Sequence, residues 1–247
     1  MVHLGRFLFR FRGIVFTAIV LGALLVSTPR YVLGRADLDP WMDALGVLVA
    51  LLGLAVRAVT IGYEYIVRGG RNRQVYADRL VQGGIYAHTR NPMYLGNGLI
   101  LLGWALIVNA PEFYAVALPL TMLFYAAIIA AEEAYLRDKF GAEFDAYCAR
   151  VSRILPSLFG LRGSLEDMQF NWRRVLVKDY NTIFLSVLLL AGLVLWDDFV
   201  ILGATTLPAL ERVLTLVVPW VALYVVVWRL KKTRRLEADR PQYRPSA

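Results

Sequence analysis

The run Ala130-Ala131-Glu132-Glu133-Ala134-Tyr135-Leu136 closes an apolar stretch that opens at Phe113. Carboxylates at the end of a membrane span are costly to desolvate unless something partners them. A second polar group, Arg90-Asn91-Pro92-Met93-Tyr94-Leu95-Gly96, stands about forty residues earlier, and only two hydrophobic segments separate it from the glutamates. The two clusters therefore read as one site, built where spans end.

Composition agrees. The chain has 247 residues, 58% of them hydrophobic, and a mean hydropathy of +0.54, which is too apolar for an ordinary soluble domain. It reads as an all-α integral membrane protein of about six transmembrane helices. Windows long enough to cross roughly 30 Å of hydrocarbon run from Gly13 to Val32, Trp41 to Gly62, Pro92 to Asn109, Phe113 to Ala131, Asn181 to Trp196 and Val213 to Trp228. Six spans put both termini on one side. Of the 27 Lys and Arg residues, 23 fall on that side and only Arg30, Arg35 and Arg212 on the other, with Arg57 inside a span. The positive-inside rule then makes the termini, both polar clusters and the tail cytoplasmic, at the inner membrane if the source is bacterial.

The net charge of +8 follows from that topology and points to anionic lipid headgroups as partners, not nucleic acid. Cys148 is the only cysteine and His3 and His88 the only histidines, so His and Cys cannot assemble a metal site. The first apolar run follows Arg6, Arg10 and Arg12, is as long as a full span, and reads as an uncleaved first helix. Three regions follow: a two-helix membrane part over 1–62, a core with the polar motifs over 63–160, and an amphipathic segment, two helices and a basic tail over 161–247.

Within the core, adjacent glutamates on a helix point about 100° apart, so only one faces a given pocket fully. Glu133 has Arg137 at i+4 as a solvated-face partner; Glu132 has none and is the inward candidate. Pro92 suits the first turn of a span and biases Asn91 towards an extended, capping conformation, with Arg90 free to reach headgroups. Gly53 allows close packing of its helix against a neighbour. Arg57, one turn on, either snorkels to the interface or meets a carboxylate or lipid phosphate. Phe140, Phe144, Tyr147 and Val151 recur at helical spacing among basic residues, as in an interfacial amphipathic helix interrupted near Gly141. No chemical constellation is visible after Leu161, and the last two helices read as packing, homo-oligomer or substrate-selecting elements.

Four motifs in one order, Leu80 to Tyr86, Arg90 to Gly96, Glu132-Glu133, and Phe140-Gly141 with Phe144, Tyr147, Val151 and Pro156, resemble the membrane methyltransferases that use S-adenosylmethionine. That group contains the isoprenylcysteine carboxyl methyltransferases and the phosphatidylethanolamine N-methyltransferases, and the resemblance covers Leu80 to Pro156. It implies a cytoplasmic cofactor pocket at the span ends. It also implies methyl transfer to a lipophilic membrane acceptor, with Glu132, Arg57 and Asn91 as catalytic candidates. Gly53, Tyr86, His88, Arg90, Asn91, Pro92, Tyr94, Leu95, Gly96, Glu132, Glu133 and Tyr147 become candidates for holding the cofactor. Many members carry His where Asn91 stands; Asn-Pro-Met-Tyr is similar to the phosphatidylethanolamine branch, and Ile128 to Ala131 lacks the basic residue that carboxyl methyltransferases carry before the glutamates. The Phe140 to Pro156 pattern is closer to the isoprenylcysteine branch, so a headgroup amine and a carboxylate both stand as acceptors. Membrane sterol reductases that bind NADPH share part of the pattern around Tyr147 and Pro156, and a non-catalytic lipid-binding protein is the third alternative.

Overall fold

Residues 1–63, 75, 77–166, 168–202, 207–233 and 235–236 are described by the computed structural model, and among them there is no strand. Arg71, in the expected basic loop, and the tail beyond residue 236 lie outside them. Among the described residues eight α-helices follow in order: α1 (Val2–Val26), α2 (Asp39–Tyr63), α3 (Pro92–Val108), α4 (Pro111–Phe140), α5 (Ala142–Arg150), α6 (Leu161–Glu166), α7 (Trp172–Leu202) and α8 (Leu207–Lys232). Five of them, α1, α2, α4, α7 and α8, are long and apolar enough to cross a membrane. The third expected span is the apolar α3, whose 17 residues extend only about 25 Å at 1.5 Å per residue.

Local chemistry sets these limits. Asn109 ends α3 in the left-handed conformation (φ 40°), a role that Asn fills more easily than most residues. Pro111 then opens α4 in its first turn, so α3 and α4 form a tight antiparallel hairpin. The first helix lies further towards the N-terminus than Gly13 to Val32. Pro29 bars Thr28 from helical geometry, Ser27 is already extended, and the helix reaches back to Val2 through the arginines. Their charges do not oppose this, because the Arg12 and Arg10 guanidinium groups lie over the rings of Phe9 and Phe11 at 4.5 and 5.5 Å.

The helices α2 and α3 meet through two glycine pairs. A Cβ on Gly46 would stand 2.7 Å from the Gly103 carbonyl oxygen, and one on Gly53 would stand 2.6 Å from that of Gly96. The pairs repeat at a seven-residue spacing on both helices, so the backbones touch along a stripe, as small residues permit between membrane helices. Helix α1 lies on α4, α7 packs against α2 and α3, and α8 packs against α7. A buried apolar layer containing Ala50, Leu54, Ile100, Trp104, Phe113 and Leu190 fills the half of the bundle remote from the polar motifs.

The other end carries a cap. Helix α4 runs past the glutamates to Phe140, Gly141 takes a positive φ of 51°, and α5 turns back. The chain from Tyr86 to Asn91 is laced to the segment that follows α5. The Arg90 amide donates to the Ser152 carbonyl (2.9 Å) and the Ser157 amide to that of His88 (3.1 Å). Thr89 Oγ1 donates to the Ile154 carbonyl (2.8 Å).

Candidate functional site

Beneath this cap a cavity of about 650 Å³ opens between α1, α2, α3, α4 and α7. Its wall runs along α3 from Asn91 to Trp104, about 20 Å of helix. It therefore descends from the span ends into the apolar part of the bundle. Of the candidates named from sequence, Arg57, Tyr86, Asn91, Pro92, Tyr94 and Glu132 line it, and the structure brings these six together.

The two glutamates have different surroundings. Glu132 lies on the cavity wall, 6% exposed, and accepts a hydrogen bond from the Tyr94 hydroxyl at 3.1 Å. Glu133 turns into the cap. Its carboxylate meets Arg90 Nη1 at 3.2 Å and is gripped by Nε (3.2 Å) and Nη2 of Arg153. That carboxylate holds the Arg153 guanidinium above its ordinary pKa, mainly through the hydrogen bond. The i+4 pairing of Glu133 with Arg137 expected from spacing is not formed, because Arg137 reaches across Gly141 to Asp145 at 2.8 Å.

Asn91 differs from its expected part as well. Its side chain does not cap α3; Nδ2 donates to the Arg153 carbonyl at 3.0 Å, fastening the cap, while its backbone oxygen accepts from the Tyr94 and Leu95 amides (both 3.1 Å). Gly53 and Gly96 are taken up by the contact between α2 and α3 and lie off the cavity wall, as does Leu95. His88 is buried in the cap, with Nδ1 2.7 Å from the Ser157 carbonyl and Nε2 2.9 Å from Ser164 Oγ. Tyr147, fully buried, donates its hydroxyl to the Tyr86 carbonyl at 2.7 Å. Gly53, Leu95, Gly96, His88 and Tyr147 shape the site without lining the cavity, whereas Asn91 does both.

Arg57 is neither snorkelling nor waiting for an anion. It is 8% exposed and its guanidinium is bidentate on Asp179 of α7: Nε donates to Oδ2 at 3.0 Å and Nη2 to Oδ1. Nη1 donates to Asn97 Oδ1 and Nη2 also reaches Thr182 Oγ1 at 3.3 Å. Asp179 is 2% exposed. Contrary to the expectation of nothing chemical after Leu161, α7 thus supplies Asp179, Thr182 and Lys178 to the wall, and α1 supplies Arg12. One signal could have found the pair: a lone arginine inside a span requires an acidic partner, and Asp179 stands just ahead of the fifth apolar window.

Residues 41–143 match the family model for phospholipid methyltransferases. This part of the chain, which spans α3, α4 and most of α2, is similar to the membrane methyltransferases of the isoprenylcysteine and phospholipid superfamily. Two curated proteins are similar to the chain over about half of its length. The nickel-cobalt-cadmium resistance protein NccN of Alcaligenes xylosoxydans xylosoxydans is 28% identical over 120 residues, 49% of this chain and 54% of that protein. The cobalt-zinc-cadmium resistance protein CzcN of Cupriavidus metallidurans is 29% identical over 123 residues, 50% of this chain and 55% of that protein. The chain spans about half the length of these relatives. No solved structure matches it.

Proposed function

We propose that the protein transfers a methyl group from S-adenosylmethionine to a lipophilic, membrane-embedded acceptor at the cytoplasmic ends of its helices. The observation that supports this is the cavity: Glu132 and Tyr94, both in the segment that matches phospholipid methyltransferases, line it, and it extends about 20 Å along α3 into the bundle. Its volume falls in the range of small-molecule sites, about 300–1,000 Å³. The donor set suits the cofactor. Glu132 would accept the cofactor's ammonium, Arg12 and Lys178 at the exposed rim would receive its carboxylate, and the rings of Tyr86 and Tyr125 offer aromatic faces for adenine.

When bound, the cofactor supplies an electrophilic methyl on a sulfonium. The protein's part is to align an acceptor in line with that methyl and to exclude water. The apolar depth of the cavity and the cap of Tyr86 to Asn91 suit both tasks. The names of the two relatives describe a resistance and not a reaction, and they leave the acceptor open.

A cytoplasmic site follows from the basic asymmetry. Reporter fusions at Asp37 and Glu166 are expected on opposite sides, with Glu166 inside; a fusion at Glu166 exposed outside would contradict the topology. Ligand preference tests the activity. S-adenosylhomocysteine at a hundredfold excess over its Kd is expected to stabilise the detergent-solubilised protein by about 2.7 kcal/mol and NADPH not at all. Stabilisation by NADPH alone would favour a membrane reductase. An amine acceptor must lose a proton before it attacks, whereas a carboxylate is already ionised. Turnover of phosphatidylethanolamine is therefore expected to rise between about pH 6.5 and 9. Turnover of a prenylcysteine acid alone, with a flat profile, would make the acceptor a carboxylate.

A further inference from the structure

We infer that Asp179 of α7 is a positioning residue of the site: by neutralising Arg57 inside the cavity, it lets the cavity admit a cationic ligand. This rests on the methyltransferase reading, in which the ligand is a sulfonium, and adds a residue that lies beyond the matched segment 41–143.

Three observations lead there. Asp179, Asn97 and Thr182 engage all but one of the N–H donors of Arg57. Little of the guanidinium is left to receive a carboxylate or phosphate, so its role lies in what it does to the cavity. Its stem is fixed as well, because it lies on Gly96, where an added Cβ would stand 2.6 Å from Arg57 Cγ. Finally, stability does not account for the pair. Replacing a buried ion pair with apolar residues is often neutral or stabilising, yet this one is set on the cavity wall where a ligand would meet it.

If the Asp179 charge is removed and Arg57 kept, an uncompensated cation faces the cavity and repels any positive ligand through a poorly screening medium. S-adenosylmethionine carries the sulfonium charge; S-adenosylhomocysteine has the same groups around a neutral thioether. A purely structural defect weakens both ligands alike, whereas the electrostatic role weakens the sulfonium selectively.

The test is calorimetric titration of the full-length, detergent-solubilised protein with both ligands. It compares wild type, Asp179→Asn, and the uncharged pair Arg57→Gln with Asp179→Asn. The ratio of the Kd for S-adenosylmethionine to that for S-adenosylhomocysteine is expected to rise on the order of tenfold in Asp179→Asn and to return to the wild-type ratio in the double variant. An unchanged ratio in Asp179→Asn would overturn the inference. Should that variant fail to fold, Arg57→Gln decides: the uncompensated Asp179 charge it leaves on the wall is expected to lower the ratio, and an unchanged or raised ratio would overturn the inference. A wild type that binds neither ligand would instead overturn the methyltransferase reading, and this inference with it.

Discussion

Glu133 and Asp179 are both buried carboxylates held by arginine, but they sit in opposite kinds of place. Glu133 belongs to the cap. It shares two arginines, and the side chain of Arg153 is 55% exposed, so water and a second cation remain at hand if one contact is lost. Asp179 belongs to the bundle interior, where its partner Arg57 has a side-chain exposure of only 9% and no other cation among the described residues bonds to it. The cap pair is a fastening that tolerates damage; the interior pair behaves as a unit that must be kept or removed whole.

That contrast can be broken by single substitutions. The largest effect is expected from Arg57→Met, which strands the buried Asp179 charge and costs about 3–5 kcal/mol, read as a lowered denaturation midpoint in detergent. Replacing both partners with apolar residues is expected to recover most of that loss. A double variant as unstable as the single would place the importance of Arg57 outside the pair.

Next comes the surface that presents Arg57. Gly53→Ala pushes a methyl group against the Gly96 backbone and is expected to cost about 1–3 kcal/mol through overpacking. Tolerance without loss would mean that the α2–α3 contact opens more easily than the glycine stripe implies. The smallest effect belongs to the cap: Arg153→Ala leaves Glu133 with Arg90 and is expected to cost about 1 kcal/mol or less, with a marked dependence on salt. A loss as large as that of Arg57→Met would erase the distinction between the two regions.

The two regions also differed in how far sequence revealed them. The helical membrane architecture, the hairpin that joins the two polar clusters and the break at Gly141 were legible, because each depends on local signals: apolar length, a helix-opening proline, a glycine at a turn. Contacts between distant segments were not. Arg57 and Asp179 are 122 residues apart, and a lone aspartate before an apolar window looks like a solvated flank until α7 packs against α2. Spacing also suggested that Glu133 pairs with Arg137 and that Asn91 caps α3. Tertiary partners prevailed in both cases, since the segment after α5 brings the Arg153 side chain and carbonyl to the two residues.

The central claim, that the cavity holds S-adenosylmethionine with Glu132 at its wall, is tested most directly by titrating S-adenosylhomocysteine calorimetrically into wild type, Glu132→Gln and Glu133→Gln. Glu132 lines the cavity while Glu133 is turned into the cap. Loss of a charge-assisted hydrogen bond to the ligand's ammonium is therefore expected to weaken binding to Glu132→Gln by about 1.5–3 kcal/mol, with Glu133→Gln much closer to wild type. Equal affinities for all three proteins, or weaker binding only in Glu133→Gln, would contradict the claim.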